Sequence, residues 1–525
     1  MTDVDVLVVG QGVVGQFASL LLARHGHRVL AVERHAQPYA LPRAVHYDPD
    51  VNRMLAGLGI GAEEQATFSE PAASYDWLNA DGRLLLSFPA PLDGEQGWPE
   101  STMFSQADLE ASLRRQQGRI PTLETRWGTS LTAISQDGDR VTATLVGPDG
   151  TAEVRASYVI GCDGANSTVR DLVGIQIQDL DFSSDWLVMD LKMPPRVWTP
   201  ENGQICDPKR PRSSVSGGPG RRRFEFMLMP GEDAATFSTE ENAWRLVEPW
   251  GVDPAHAELE RLAMYTFHAH CATTWHVGRV FIAGDAAHRM PPFFGRGMVS
   301  GARDAMNLTW KIDLVMRGLA DEHLLDTYST ERHAHVQYAL GMSIELGRVI
   351  CETDPEKVAA RDAHLLARGP LPWNALPPMP PEMLGPGFFP GGEAGADPVA
   401  ARGGQQHPLL GPDDRVALLD EVAFAEFTIL VDRRRLSAED AAAIRSATPA
   451  GLPAKIIEVE PVDAQRPTVH SGVDVTGRYG ALFDAIDRAV IVYRPDFHGY
   501  GSAVSLDEAL TLVGGLSASG SLQKG

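Results

Sequence analysis

The most constraining feature of this chain is the run Gly10-Gln11-Gly12-Val13-Val14-Gly15. It follows a short β-branched apolar stretch, residues 4–9, and precedes apolar positions at helical spacing: Val14, Phe17, Ala18, Leu21 and Leu22. The first glycine permits a tight turn. The second lets the backbone approach a pyrophosphate, and the third lets helix and strand pack closely. The helix start offers free N–H groups and a positive dipole end to an anion. Gly26 reads as the helix stop, and residues 28–32 read as a second strand ending at Glu33. A carboxylate there can accept hydrogen bonds from both ribose hydroxyls of a dinucleotide and repels a 2′-phosphate. This context makes the glycine motif a strong signal.

Two further strand–turn–helix junctions are spread along the chain. Residues 156–170 run from a strand into Gly161-Cys162-Asp163-Gly164-Ala165-Asn166-Ser167, with a helix expected near Ser167. Residues 278–312 run from a strand into Gly284-Asp285-Ala286-Ala287-His288, with a long helix expected from about Ser300. Three such junctions imply one doubly wound α/β domain assembled from separated pieces, residues 1–70, 101–174 and 276–370. Alternating stretches such as residues 222–230 imply an antiparallel sheet. They place a second, α+β domain at 71–100 and 175–275. Residues 371–404 are dense in Pro and Gly and read as a linker. Residues 405–525 read as a small α/β domain, with strands at VALLD, FTILVD, AKIIEV and AVIVYRP.

Composition narrows the classes of partner. Lys and Arg number 46 against 69 Asp and Glu, a net charge of −23. That balance disfavours nucleic acid and anionic membrane surfaces as partners. No uninterrupted apolar run reaches the ~20 residues of a membrane span. The first residues lack the basic region of a signal peptide, so a cytoplasmic protein is expected. The cysteines, Cys162, Cys206, Cys271 and Cys351, form no CxxC pair. Neither thiol-redox nor cysteine-zinc chemistry is expected. His268 and His270 share a strand face, but no third ligand stands near them in sequence, and no metal is expected.

The three glycine and aspartate motifs, in this order, resemble those of the FAD-dependent aromatic hydroxylases with the para-hydroxybenzoate hydroxylase fold. Residues 98–110, 220–233 and 290–298 are similar to 3-(3-hydroxyphenyl)propionate hydroxylases. The resemblance covers about residues 1–390. The C-terminal part resembles a thioredoxin-like domain, with RPDFHGYG at 494–501 similar to its closing motif.

The resemblance implies a Rossmann-like FAD domain, an inserted α+β substrate domain and the thioredoxin-like C-terminal domain. It implies that Gly10, Gly12, Val13, Val14 and Gly15 face the FAD pyrophosphate. Glu33 and Arg34 would lie at the adenosine ribose, with Arg43 and Gln106 along the phosphate and ribityl regions. Asp163 and Gly164 would serve the second motif and Asp285 the ribityl chain. Gly295, Gly297 and Met298 would sit at the flavin ring. The family usually reads GQGM there, and this chain has Arg296. The arginine either favours an anionic reduced ring or points outward.

The activity implied is hydroxylation of a phenolic ring through a C4a-hydroperoxyflavin, with NADH or NADPH as reductant and O2 as co-substrate. A 3-(3-hydroxyphenyl)propionate-like acid is the expected substrate. A tailoring hydroxylase or Baeyer–Villiger oxygenase of a polycyclic aromatic, and a non-catalytic flavin sensor, are the alternatives. His46 is the candidate catalytic base, or else a satisfied loop histidine. Arg223, Met227, Pro292 and Phe293 are the expected substrate contacts, with a solvated strand edge as the other account of the arginine run 221–223. The expected partner is a small aromatic molecule, and self-association into a homodimer is left open.

Overall fold

The computed structural model describes residues 2–38, 43–464 and 467–517. Among these residues the strands form three large sheets and one small one. The first sheet has a parallel centre in which Thr2–Val9 lies between Val29–Glu33 and Gly150–Gly161. Leu123–Trp127 extends it on one side and Val280–Ile282 on the other. These strands are nearly continuous apolar runs because both faces are covered. Val6, Leu7 and Val8 are fully buried. The helix Val13–Arg24 returns the chain from the first strand to Val29–Glu33, and the 20-residue helix Gly297–Met316 packs beside it. That second helix starts at Gly297 rather than near Ser300, one turn earlier than the sequence suggests.

The second sheet is mixed. Its long strands Ile177–Lys192 and Glu258–Ala272 pair antiparallel. Arg221–Met227 lies on the other side of Ile177–Lys192, followed by Arg212–Ser216, Gly203–Cys206, Ser74–Asn79 and Leu84–Pro89. Arg221–Met227 is therefore an interior strand with a partner on each side, not a solvated edge. Arg222 and Arg223 are both buried. Sequence alone could not show this, because the neighbouring strands come from distant parts of the chain.

A third, seven-stranded sheet is built from residues beyond 408. Its centre is Phe427–Asp432, parallel to Ala454–Glu460 and antiparallel to Val490–Tyr493. Of the VALLD stretch only Val416–Ala417 is strand, and Leu419–Val422 is already helical. The Pro/Gly-rich stretch is not a free linker. Leu384, Phe389, Ala400 and Ala401 form a buried cluster, and residues 372–381 wall the main cavity. Proline fixes the backbone whether the chain is a solvated spacer or a fitted wall, so composition does not separate the two. Among the described residues no helix is long and apolar enough to cross a membrane.

The C-terminal sheet is joined to the long helices Gly297–Met316 and His323–Cys351 by buried ions. Glu331, on the helix His323–Cys351, accepts from Lys311 Nζ at 2.7 Å and Arg494 Nη2 at 2.6 Å. Arg494 also donates to Asp496 at 2.7 Å. The RPDF motif thus supplies both signs of charge to one sealed junction.

Candidate active site

A cavity of about 1060 Å³ lies between the first sheet, the second sheet and the proline-rich wall. Its two ends are built differently.

At one end the glycine run is shaped by contacts that exclude a side chain. Gly10 has φ +97°, and a Cβ there would lie 2.4 Å from the Cys162 carbonyl oxygen. A Cβ on Gly15 would lie 1.9 Å from the Gly10 carbonyl oxygen. Around Gly12 there is open space within 4 Å, and this residue caps the helix start. The three glycines thus differ: a left-handed turn at Gly10, open space at Gly12 and a close backbone approach at Gly15. Gly12, Val13 and Val14 line the cavity. Glu33 is not on the cavity wall. Its carboxylate accepts the Gln11 N–H at 2.9 Å and the His35 N–H at 3.0 Å, which fixes the turn and leaves each oxygen a second lone pair. Arg34 is exposed just beyond it.

Asp163 has a structural task. It accepts from the Ser167 hydroxyl and from the Val169 N–H at 3.1 Å, so it anchors the start of the helix Thr168–Leu172. Gly164 lines the cavity beside it. Asp285 is exposed to the cavity, and the turn that carries it is tied to a buried carboxylate. That carboxylate is Asp304, which accepts the Gly284 N–H at 2.9 Å, His288 Nε2 at 2.7 Å and Arg332 Nε at 2.9 Å. Neither Asp304 nor Arg332 stands out in the sequence, since both lie inside long helices. Only the pairing of a buried-face aspartate with a nearby buried-face arginine could have marked them.

Gln106 accepts the N–H groups of Arg43 and Ala44 at 3.0 and 2.7 Å and donates to Glu110 at 2.8 Å. Its polar atoms are spent on holding the Arg43 segment against the cavity. Gly295, at φ +68°, ends a short turn, and Gly297 and Met298, at the start of the next helix, line the cavity. His46 Nδ1 lies 3.1 Å from the Gly295 carbonyl. A carbonyl only accepts, so Nδ1 carries the proton. Burial, helped by Arg296, pushes the His46 pKa down to about 4. The ring is neutral near pH 7 and holds the turn.

Arg296 does not point outward. It pairs with buried Asp48 and, at 3.4 Å, with Glu382 of the proline-rich wall. Arg303 bridges the same two acids at 2.8 and 2.9 Å and binds Asp50 at 2.6 Å.

The other end is the face of the second sheet. Arg223 lines the cavity, but its guanidinium grips Asp190 at 2.7 and 3.0 Å and donates to the Arg43 carbonyl at 2.6 Å. It ties the second sheet to the Arg43 segment instead of offering a free fork to a carboxylate. Of the other expected substrate contacts only Pro292 lines the cavity. Met227 and Phe293 lie behind the wall, where Phe293 packs edge-on against Trp186 and Phe267. Phe294 takes the cavity-facing place. The residues that sequence reading missed are Tyr75, Asn202 and Glu225, all on this floor.

The arrangement fits a flavin dinucleotide. An open helix start, an acid-bearing turn and a second helix start follow one another along one wall. The comparisons agree. The description "FAD binding domain" matches residues 3–343. A probable NADH-specific resorcinol 4-hydroxylase of Rhodococcus jostii is 35% identical, over 95% of this chain and 92% of that protein. A 3-(3-hydroxy-phenyl)propionate/3-hydroxycinnamic acid hydroxylase of Mycolicibacterium smegmatis is 34% identical, over 94% of this chain and 89% of its own length. Aklavinone-11 hydroxylase, solved with FAD and aklavinone, has the same fold, with TM-score 0.76, 24% identity and 98% of each chain covered. The chain belongs to the FAD-dependent aromatic hydroxylases.

Proposed function

We propose that this protein uses FAD, NADH and O2 to hydroxylate a single-ring phenol. The observation that carries the reading is the continuity of one cavity, from the helix start at Gly12, past Asp285 and Gly297, to the sheet floor at Tyr75 and Glu225. When bound, FAD supplies the redox chemistry that activates O2 and delivers one oxygen atom to the ring. The reductant and the size of the ring follow the names of the two relatives, an NADH-specific resorcinol hydroxylase and a phenylpropionate hydroxylase.

The chain's own residues have five tasks in this reading. The N–H groups at Gly12 and Val13 hold the pyrophosphate, helped by the helix dipole. Glu33 takes the adenosine ribose and Asp285 the ribityl hydroxyls. With FAD bound, the N–H groups of Gly297 and Met298 at the helix start would stabilise negative charge on the flavin. Gln106 and His46 are positioning residues for the Arg43 segment and the Gly295 turn. The apolar wall of Val215, Phe88, Phe294 and Met342 excludes water from the reacting ring.

The unit that begins at residue 405 is assigned a thioredoxin-like fold without redox cysteines, and its buried ionic junction at Glu331, Arg494 and Asp496 supports a packing role. The test is NADH and NADPH oxidation by FAD-loaded protein, with and without resorcinol or 3-(3-hydroxyphenyl)propionate, with product mass recorded. Faster NADH oxidation with a product heavier by one oxygen is expected. Oxidation yielding only hydrogen peroxide with every phenol would overturn the hydroxylase reading.

A further inference from the structure

On the cavity floor stands one carboxylate that neither the cofactor end nor the fold fully uses. Glu225 is 7% exposed and lines the cavity. It is two residues from Arg223 on one strand, so the two side chains share the cavity face. Its Oε2 accepts the Ser213 hydroxyl of the neighbouring strand at 2.9 Å. Its Oε1 lies 4.0 Å from Arg223 Nη1, close enough for charge attraction and too far for a hydrogen bond. Among the described residues no group donates to Oε1, and this oxygen is not sealed from the cavity.

The charges around it are already balanced. Arg223 grips Asp190, and Arg261 lies 3.7 Å from the same aspartate. Arg223 and Arg261 thus stand against Asp190 and Glu225. What Oε1 lacks is a hydrogen-bond donor, not a cation. Burial raises the Glu225 pKa, and Asp190 adds to the rise; Arg223, the Ser213 hydroxyl and Arg261 oppose it without cancelling it. Glu225 is therefore a stronger base than a carboxylate in water. Tyr75, on the same floor, is pushed up by burial and by the Glu225 charge and keeps its proton. His46, held at about 4, is the weaker base on the cavity wall.

We propose that Glu225 is the catalytic base of the hydroxylation: its Oε1 accepts the phenolic O–H of the substrate and takes that proton as oxygen is added to the ring. This rests on the phenol-hydroxylase reading above. Before reaction the phenol stays neutral and donates to Oε1. When a ring carbon ortho or para to the hydroxyl gains oxygen, the ring loses electron density and the O–H becomes strongly acidic. The O–H bond breaks, its proton goes to Oε1, and its electron pair forms the C=O of a dienone. The C–H bond at the newly oxygenated carbon then breaks. Its proton leaves to water, its electron pair restores the aromatic ring, and the carbonyl oxygen takes the proton back from Oε1. Glu225 ends ionised, as it began. O2 supplies the oxygen atom, and NADH supplies the electron pair that reduces the second oxygen to water. A base so placed contributes about 10²- to 10⁴-fold.

The test variant is Glu225→Gln, which can keep the Ser213 contact, with resorcinol and 3-(3-hydroxyphenyl)propionate as substrates. Product formed per NADH consumed near neutral pH is expected to fall at least about tenfold, with hydrogen peroxide in its place and the Michaelis constant for the phenol moving less than about fivefold. The variant's yield is expected to recover as pH rises toward the phenol's own pKa, ~10. The wild-type yield is expected to show no such rise. A second measurement needs no turnover. 3-Nitrophenol is titrated into the oxidised FAD-loaded protein, followed by the flavin absorbance change, at one pH below and one above its own ionisation. The wild-type protein is expected to bind it at least about tenfold more weakly at the higher pH, because the phenolate has no proton to donate and meets like charge at Glu225. In Glu225→Gln the loss is expected to be less than about threefold. Wild-type binding that is equal or tighter at the higher pH, or absent at both, would overturn the proposal without needing the variant to fold. So would an unchanged product yield in folded Glu225→Gln. Failure of the phenol-hydroxylase reading shows differently: no phenol then gives an oxygenated product with the wild-type protein.

Discussion

The two ends of the cavity solve the same problem, holding a polar ligand in a protein interior, with different parts of the chain. The nucleotide end uses backbone. Its donors are helix starts, and its shape comes from glycines with no room for a Cβ. The floor uses side chains, Tyr75, Asn202, Arg223 and Glu225, drawn from three strands of one sheet or the residue just before one. Backbone geometry tolerates almost no change of residue type. A side-chain floor on a fixed sheet can be rewritten one position at a time, and so specificity can vary there while the cofactor end stays constant.

The sharpest way to break this contrast is at Gly15. A Cβ there falls 1.9 Å from backbone that cannot move aside. Gly15→Ala is expected to yield protein with no retained FAD, read from its absorbance spectrum after purification. On the floor, Asp190→Asn leaves Arg223 buried without its carboxylate. Loss of about 3–5 kcal/mol in stability is expected, measured by denaturant unfolding, while any folded fraction still takes up FAD. An FAD affinity that falls in step with stability would mean that the two ends are not separable.

Asp285→Ala tests whether a single side chain matters at the backbone end. Removing hydrogen bonds from a carboxylate costs about 1.5–3 kcal/mol. FAD should therefore bind about 10- to 100-fold more weakly, with thermal stability of the apo-protein unchanged. The smallest effect is expected for Arg296→Gln. Arg303 still bridges Asp48 and Glu382 in that variant. A rise of less than about threefold in the Michaelis constant for the phenol is expected in steady-state NADH oxidation. A large change would show that Arg296 reaches the flavin or substrate directly.

The same contrast decides what could be read from the sequence. Gly10, Gly12 and Gly15 were legible because one local turn dictates residue type at fixed spacing. Asp285 was legible because it stands at a strand end feeding a helix. Tyr75, Asn202 and Glu225 were not, since they are neighbours only after strands from residues 74–79, 203–206 and 221–227 join one sheet. Arg223 was seen but misread, because a strand's place within a sheet is set by its partners rather than by its own residues. Met227 and Phe293 were close in sequence to the cavity wall yet lie behind it. Alternation along a strand, or between Phe293 and Phe294, gives two faces without saying which is lined by solvent. The proline-rich stretch was legible as a connecting segment but not as a wall.

Asp304 has a consequence for how the cofactor arrives. It is fully buried and holds the Gly284 N–H, His288 and Arg332 at once, all from within the protein. The turn presenting Asp285 is therefore set when the chain folds. An incoming nucleotide meets a socket that already has its final form, and its contacts go into affinity rather than into ordering the chain. Uptake of FAD by the empty protein should then behave as simple bimolecular docking, with a rate that rises linearly with FAD concentration and no slow isomerisation behind it.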